Sequence, residues 1–190
     1  WRKIHCVMAP KDYLRLRMTG MAASDPVDAS GMWLCDVAKR KWSPALAEAC
    51  GVSLNILPPL LEAPALAGHM TADAARALGL KAGTPVMTGT GDAAASAIGL
   101  GVVGGNDGVI SMGTAAQIIV SKQMHVPAPA QNIHAFCHGL PDRWFQMAAL
   151  LNGASPLAWL AQTLGAKDIS KLLQPIETAM SKPCPVMFLP

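Results

Sequence analysis

Four consecutive residues, Gly89-Thr90-Gly91-Asp92, have the types needed to present one carboxylate at the head of a helix. The run Thr84-Pro85-Val86-Met87-Thr88-Gly89 reads as a strand ending in glycine, and the two glycines permit a tight turn. The small residues from Asp92 to Leu100 suit a helix packed closely on a sheet. The partial positive charge at a helix N-terminus favours an ionised acid. A carboxylate held there, facing a cleft, can accept a proton from a substrate hydroxyl. Asp also serves as a helix N-cap, and the spacing alone favours that plainer role. The same segment reads G-x-G-x-x-A (Gly89, Gly91, Ala94), a dinucleotide-binding pattern. Two features count against it. Asp92 would put negative charge where a pyrophosphate sits, and Asp107, the candidate ribose-binding acid, precedes a strand instead of ending one.

Two further segments could carry chemistry. Ser111-Met112-Gly113-Thr114-Ala115-Ala116 joins two β-branched strands, and its small residues let backbone N–H groups and hydroxyls approach an anion. No Gly-Lys-Ser/Thr follows, so it is not a Walker loop, and a plain hairpin turn fits the spacing as well. His134-Ala135-Phe136-Cys137-His138 contains two histidines four apart. On a strand they share a face while Cys137 points away. With no further ligand set nearby in the sequence, structural histidines are the favoured reading over zinc.

The elements that must position these groups alternate between strand and helix, which gives an α/β or α+β chain. Helices are expected over 10–19 (Pro10 to Gly20), from Ser43-Pro44 to about Cys50, over 71–78 before Gly79, from Ser155-Pro156 to about Leu164, and over 169–180. Ser24 to Gly31 reads as an irregular polar segment, with Asp25 and Asp28 structural. Strands are expected at 109–111, 117–120, 133–137 and 144–150. A short strand is possible within 32–41. Leu57-Pro58-Pro59-Leu60 is an extended connector, and Gly101 to Gly108 is a candidate hinge.

Composition narrows the class. The 190 residues are 52% apolar and only 14% charged, which excludes a disordered chain or a coiled coil. Net charge is +3. The densest basic run, Lys39-Arg40-Lys41, reads as a solvated helix end, so no nucleic-acid partner is expected. The longest uncharged stretch, 144–166, is interrupted by Gln146, Asn152, Ser155, Pro156 and Gln162, so no membrane span is expected. The five widely spaced cysteines (Cys6, Cys35, Cys50, Cys137, Cys184) form no disulfide framework and point to a reducing, cytoplasmic setting. Most are expected to be small buried hydrophobes. Trp1 and Pro190 both read as cut ends.

The motifs Pro10-Lys11-Asp12-Tyr13-Leu14-Arg15, Met18-Thr19-Gly20, Ser24-Asp25 and Asp28-Ala29-Ser30-Gly31 together resemble the FGGY family of carbohydrate kinases. Gly89-Thr90-Gly91-Asp92, Ser111-Met112-Gly113-Thr114 and His134 to His138, with Leu140-Pro141 and Arg143-Trp144, follow in the family's order and spacing. The resemblance implies an α/β fold with two actin-like, ribonuclease H-like domains around a cleft, both incomplete in this chain. Residues 1–103 would be the second half of the sugar-binding domain and 104–190 the first half of the nucleotide-binding domain. It implies transfer of a phosphoryl group from ATP, with Mg²⁺, to a sugar hydroxyl. Asp92 would be the base and a sugar contact, and Gly113, Thr114, Ala154 and Ser155 would bind nucleotide. The partner would be a small sugar, with neither nucleic acid nor membrane, and a homodimer is compatible. The family's Asp-x-Gly-Thr phosphate loop would lie upstream of Trp1 and its adenosine site beyond Pro190, so the 190-residue piece alone is expected to be inactive. Ala93 departs from the Asn frequent after the base, and Ala115 from a frequent Ser. A degenerate actin-like domain that binds without turnover is the rival reading.

Overall fold

The computed structural model describes residues 3–179. Cys184 and the expected last helical residue, Met180, lie outside them. The chain divides into two compact units, residues 3–109 with 119–147, and residues 110–118 with 148–179.

In the first unit, helix α1 (Pro10–Thr19) starts on proline and stops at Gly20, whose φ of 75° is costly for any residue with a Cβ. Helix α2 (Pro26–Gly31) occupies the segment read from sequence as irregular. Its six residues carry no clear apolar period. It forms because Asp25 caps it, accepting from Val27 N–H at 3.0 Å, and because Pro26, Val27, Ala29 and Ser30 are buried. Strands β1 (Cys35–Asp36) and β2 (Lys41–Trp42) pair as a tight antiparallel hairpin. Helix α3 (Pro44–Ala49) is capped by Ser43. Strand β3 (Leu66–His69), hidden in the sequence by Ala67 and Gly68, leads to helix α4 (Ala72–Leu78), capped by Thr71 and closed by Gly79 at φ 67°. β3 pairs antiparallel with β4 (Pro85–Met87), and helix α5 (Asp92–Gly99) follows directly.

Strands β5 (Gly108–Met112), β6 (Ala116–Lys122), β7 (His134–Cys137) and β8 (Trp144–Leu150) form one sheet in the order β5-β6-β8-β7. In the second unit, helices α6 (Ser155–Thr163) and α7 (Ile169–Ala179) pack on each other. The expected helix and strand positions after residue 108 therefore hold to within a residue or two. Among the described residues no helix is long and apolar enough to cross a membrane.

The basic run does not end a helix. It lies in the β1–β2 hairpin, where Arg40 takes φ 55° and is only 9% exposed. Its guanidinium donates to both Glu62 carboxylate oxygens (2.8 and 2.5 Å), to Arg143 O (2.7 Å) and to His138 O (3.1 Å). Four acceptors from distant parts of the chain compensate for burying the charge.

Val27, Ala94, Ala97, Val102, Ile119, Cys137 and Phe145 form the core of the first unit. Ala94 and Ala97 are fully buried, so α5 lies against its neighbours with only methyl groups between. Cys35 and Cys137 are buried as expected, whereas Cys6 is half-buried and Cys50 exposed, and all four are free thiols.

The two histidines part company. His134 is exposed and stacks on Phe136, while His138, just past the end of β7, is completely buried. His138 Nε2 lies 3.1 Å from Val102 O, and Nδ1 accepts from Leu140 N–H at 3.0 Å. These partners fix the neutral tautomer with the proton on Nε2, since a proton on Nδ1 would oppose the Leu140 N–H. His138 is therefore a structural histidine.

Burial holds the His138 pKa below its ordinary value, against the pull of Val102 O, and Arg40 and Arg143 add to the lowering. A depressed pKa contributes stability above the unfolded value of about 6.5, which is lost as pH falls through the folded value. Urea midpoints should fall between pH 7.5 and 5.5, and His138→Gln should flatten that slope while costing roughly 1–3 kcal/mol at pH 7.5. An unchanged slope in the variant would remove His138 as the titrating group.

Candidate active site

The turn Gly89-Thr90-Gly91 carries the chain from β4 into α5. Gly89 takes φ 74° and Gly91 is the N-cap, so Asp92 is the first helical residue and not the cap. Its Oδ1 accepts from Ala93 N–H at 2.7 Å. Asp92 is exposed and lines a pocket of about 160 Å³. Its lining combines Asp28 and Asp92 with the apolar Val27, Ala93, Phe136, Phe145 and Met147. Such a lining suits a ligand that carries both hydroxyls and C–H groups.

Behind the pocket lies a charged network that composition and spacing did not reveal. Lys11 Nζ is 2.6 Å from Asp12 Oδ1, 2.6 Å from Asp25 Oδ1 and 3.1 Å from Asp28 Oδ2. Arg15 pairs with Asp12 at 3.0 Å and donates to Ala23 O and, at 2.5 Å, to Thr88 O. Ser24 Oγ donates to Asp12 Oδ2 at 2.6 Å. Asp25 also accepts from the Thr90 hydroxyl at 3.3 Å. Asp28 Oδ1 lies 2.7 Å from where a Cβ on Gly91 would stand, so a side chain at Gly91 would require that carboxylate to shift.

The network therefore grips Thr88, Thr90 and Gly91 from behind, immediately before Asp92. Partial burial weakens the Lys11 ammonium, but Asp12 and Asp25 outweigh it and hold its pKa above the ordinary lysine value. Burial pushes Asp25 above the ordinary carboxylate range, while Lys11 and Val27 N–H oppose the rise. Asp12, Asp25 and Asp28 are the one carboxylate trio among the described residues close enough to ligate a metal. The Lys11 ammonium already sits among them, so they fit a built-in cation and not a divalent ion.

In the second unit, the structure brings together the other expected residues. Ala154 N–H donates to Gly113 O at 2.7 Å and Gly153 N–H to Thr114 O at 2.8 Å, which joins the two loops. Gly113 N–H turns back to Ala115 O at 2.8 Å. Thr114 gives its carbonyl to these bonds and is exposed. Ser155 opens α6. The hydroxyls of these two residues fit a phosphate group.

Gly153 holds the loops together and was given no role from its sequence context. A Cβ there would meet Ala115 C and O at 2.6 Å and Gly113 O at 2.7 Å, all backbone atoms. The Asn-Gly pair was the only sequence signal, and it marks a turn without showing what the turn touches.

Gly153→Ala should separate the loops and destabilise the protein by roughly 1–3 kcal/mol in urea unfolding. Gly113→Ala, whose Cβ would meet nothing nearer than Ala115 O at 3.8 Å, should leave the midpoint almost unchanged. Equal midpoints for the two variants would contradict this close approach.

Residues 1–99 match the FGGY family of carbohydrate kinases, N-terminal domain. Over 191 aligned residues the chain is 42% identical to a xylulose kinase of Escherichia coli (strain K12), covering all of this chain and 39% of that protein. It is 38% identical to a xylulose kinase of Klebsiella pneumoniae, over 97% of this chain and 38% of that one. The crystal structure of a xyloylose kinase from Brucella ovis superposes with a TM-score of 0.87 at 36% identity, covering 92% of this chain and 36% of the other. The chain thus spans about two fifths of the length of the curated relatives it matches.

Proposed function

We propose that this chain, which belongs to the FGGY family of carbohydrate kinases and has its actin-like, ribonuclease H-like α/β fold, is part of an enzyme that phosphorylates D-xylulose to D-xylulose 5-phosphate with ATP. The observation that carries the reading is Asp92, exposed at the head of α5 and lining a pocket with Asp28 and the apolar Phe136, Phe145 and Met147. The division into residues 1–103 on the sugar side and 104–190 on the nucleotide side belongs to this proposal.

The sugar hydroxyl attacks the γ-phosphoryl group of ATP while Asp92 takes its proton, the bond from the γ-phosphorus to the bridging oxygen breaks, and ADP leaves. Asp92 stands in the first turn of α5, the end of a helix at which a proton-accepting carboxylate is commonly presented. Phosphoryl transfer needs little else from protein groups beyond positioning and donors around the moving charge. Thr114 and Ser155 supply such donors to the nucleotide phosphates, while Gly113 and Ala154, whose N–H groups are taken by Ala115 O and Gly113 O, shape the loops that present them. Mg²⁺, when bound with ATP, neutralises phosphate charge. The described residues supply no carboxylate trio for it apart from the one that Lys11 fills.

Xylulose is preferred on the His134-Ala135-Phe136-Cys137-His138 and Pro10-Lys11-Asp12-Tyr13-Leu14 stretches, and on the names of the relatives. A second reading, a related kinase acting on another ketose or polyol, is favoured by Ala93. This residue lines the same pocket and offers a sugar no polar side chain.

In the protein that contains this chain, Asp92→Asn should lower kcat about 10²–10⁴-fold while changing sugar KM little. A ketose and polyol screen with wild type alongside reads the acceptor. Near-normal turnover in Asp92→Asn would remove the base assignment.

A further inference from the structure

We propose that Cys35 and Cys137 are a peroxide-sensitive dithiol, closed by oxidation into a disulfide that ties β1 to the end of β7 and disturbs the pocket beside Asp92. The two thiols come from distant parts of the chain, yet their side chains hydrogen-bond to each other. The backbone around them brings the same two strands together. Cys137 Sγ lies 3.4 Å from the carbonyl of Val37, two residues past Cys35, and the Trp144 indole N–H donates to that carbonyl at 2.7 Å. Arg40, in the β1–β2 hairpin, donates to the carbonyl of His138, the residue after Cys137. Cys137 N–H donates to Ser30 Oγ at 3.2 Å, and α2 packs on both β1 and β7.

The two thiols are unlike, as a nucleophile and its resolving partner need to be. Their shared hydrogen bond pushes Cys35 up and Cys137 down. Burial adds to the rise of Cys35 and opposes the fall of Cys137, which Ser30 and the Arg40 guanidinium reinforce. The Cys137 thiolate attacks one oxygen of hydrogen peroxide, the O–O bond breaks, and the hydroxide released takes up the thiol proton as water. Cys137 is then a sulfenic acid. The Cys35 sulfur attacks the Cys137 sulfur, the S–O bond breaks, and the departing hydroxide takes the Cys35 proton as a second water. The two thiols lose two electrons and the peroxide gains them. Access comes from Cys35, which is 6% exposed in a hairpin of only two residue pairs that opens locally more easily than the sheet does. A disulfide holds its sulfurs about 2.05 Å apart, much closer than a hydrogen bond does. Its closure draws Cys137 toward β1. The preceding residue, Phe136, lines the pocket with Asp92, and β7 is an edge strand paired with β8 alone. Only this last consequence rests on the proposed role of the pocket.

The test treats the reduced protein that contains this chain with hydrogen peroxide, alkylates the remaining thiols and maps its peptides without reduction. The expected result is one peptide pair joined through Cys35 and Cys137, two hydrogens lighter than its parts and separated by dithiothreitol. Sugar kcat/KM should fall roughly tenfold on oxidation and recover with dithiothreitol. Cys35→Ser should keep its activity through the same treatment. A map with no joined pair, or with Cys137 joined to another cysteine, overturns the proposal, and so does a joined pair with unchanged turnover. Should Cys35→Ser fail to fold, the wild-type map and its recovery with dithiothreitol decide alone. The crosslink is read by mass, so normal turnover in Asp92→Asn would sink the base reading and leave the joined pair standing.

Discussion

One ammonium among three carboxylates organises the first unit. Lys11 meets Asp12, Asp25 and Asp28 within 3.1 Å, and Asp12 and Asp25 are wholly buried. Removing charges from water costs several kcal/mol per ion unless partners and hydrogen bonds replace the lost hydration. Here they do so from several sides. Arg15 and Ser24 serve Asp12, while Val27 N–H and the Thr90 hydroxyl serve Asp25. Such a cluster tolerates few arrangements, because displacing any member strands the others. That intolerance turns a set of short helices and two-residue strands into a frame with one geometry at the β4–α5 turn.

The sequence made the ends of helices plain and the origin of this frame obscure. Pro10 and Gly20, Ser43 and Pro44, Thr71 and Gly79, and Ser155 and Gly165 mark boundaries through local backbone chemistry, and the helices lie where those residues put them. Helix α2 was missed because its stability comes from burial of Val27 and Ala29 and not from its own propensities. Strand β3 was missed because Ala67 and Gly68 have little strand preference, and pairing with β4 supplies what they lack. Arg40 looked solvated because its partners lie 22 to 103 residues away.

For the candidate site, Asp92, Gly113 and Thr114 drew notice because they lie in turn-forming runs between regular elements, whereas Ala154 and Ser155 rested on the family resemblance. The roles of Lys11, Asp28 and Gly153 could not be read in advance. Each depends on which atoms meet in space. Lys11 reaches across to the cap of α2, Asp28 reaches the turn before α5, and Gly153 lies on the backbone of the β5–β6 connection. Only the motif Pro10-Lys11-Asp12-Tyr13-Leu14-Arg15, read as a family mark, flagged the first of these regions.

If the pocket beside Asp92 holds the acceptor as proposed, the alanine seam of α5 sets where acceptor preference can be redesigned. With Ala94 and Ala97 fully enclosed, that helix has no slack to retreat, so any enlargement of its side would dislodge Asp92 itself. The facing side chains Phe136 and Met147 are only partly enclosed and sit on strands held by a regular ladder. Under the proposed function, trimming those two is the route that enlarges the pocket while leaving α5 and its acid in place.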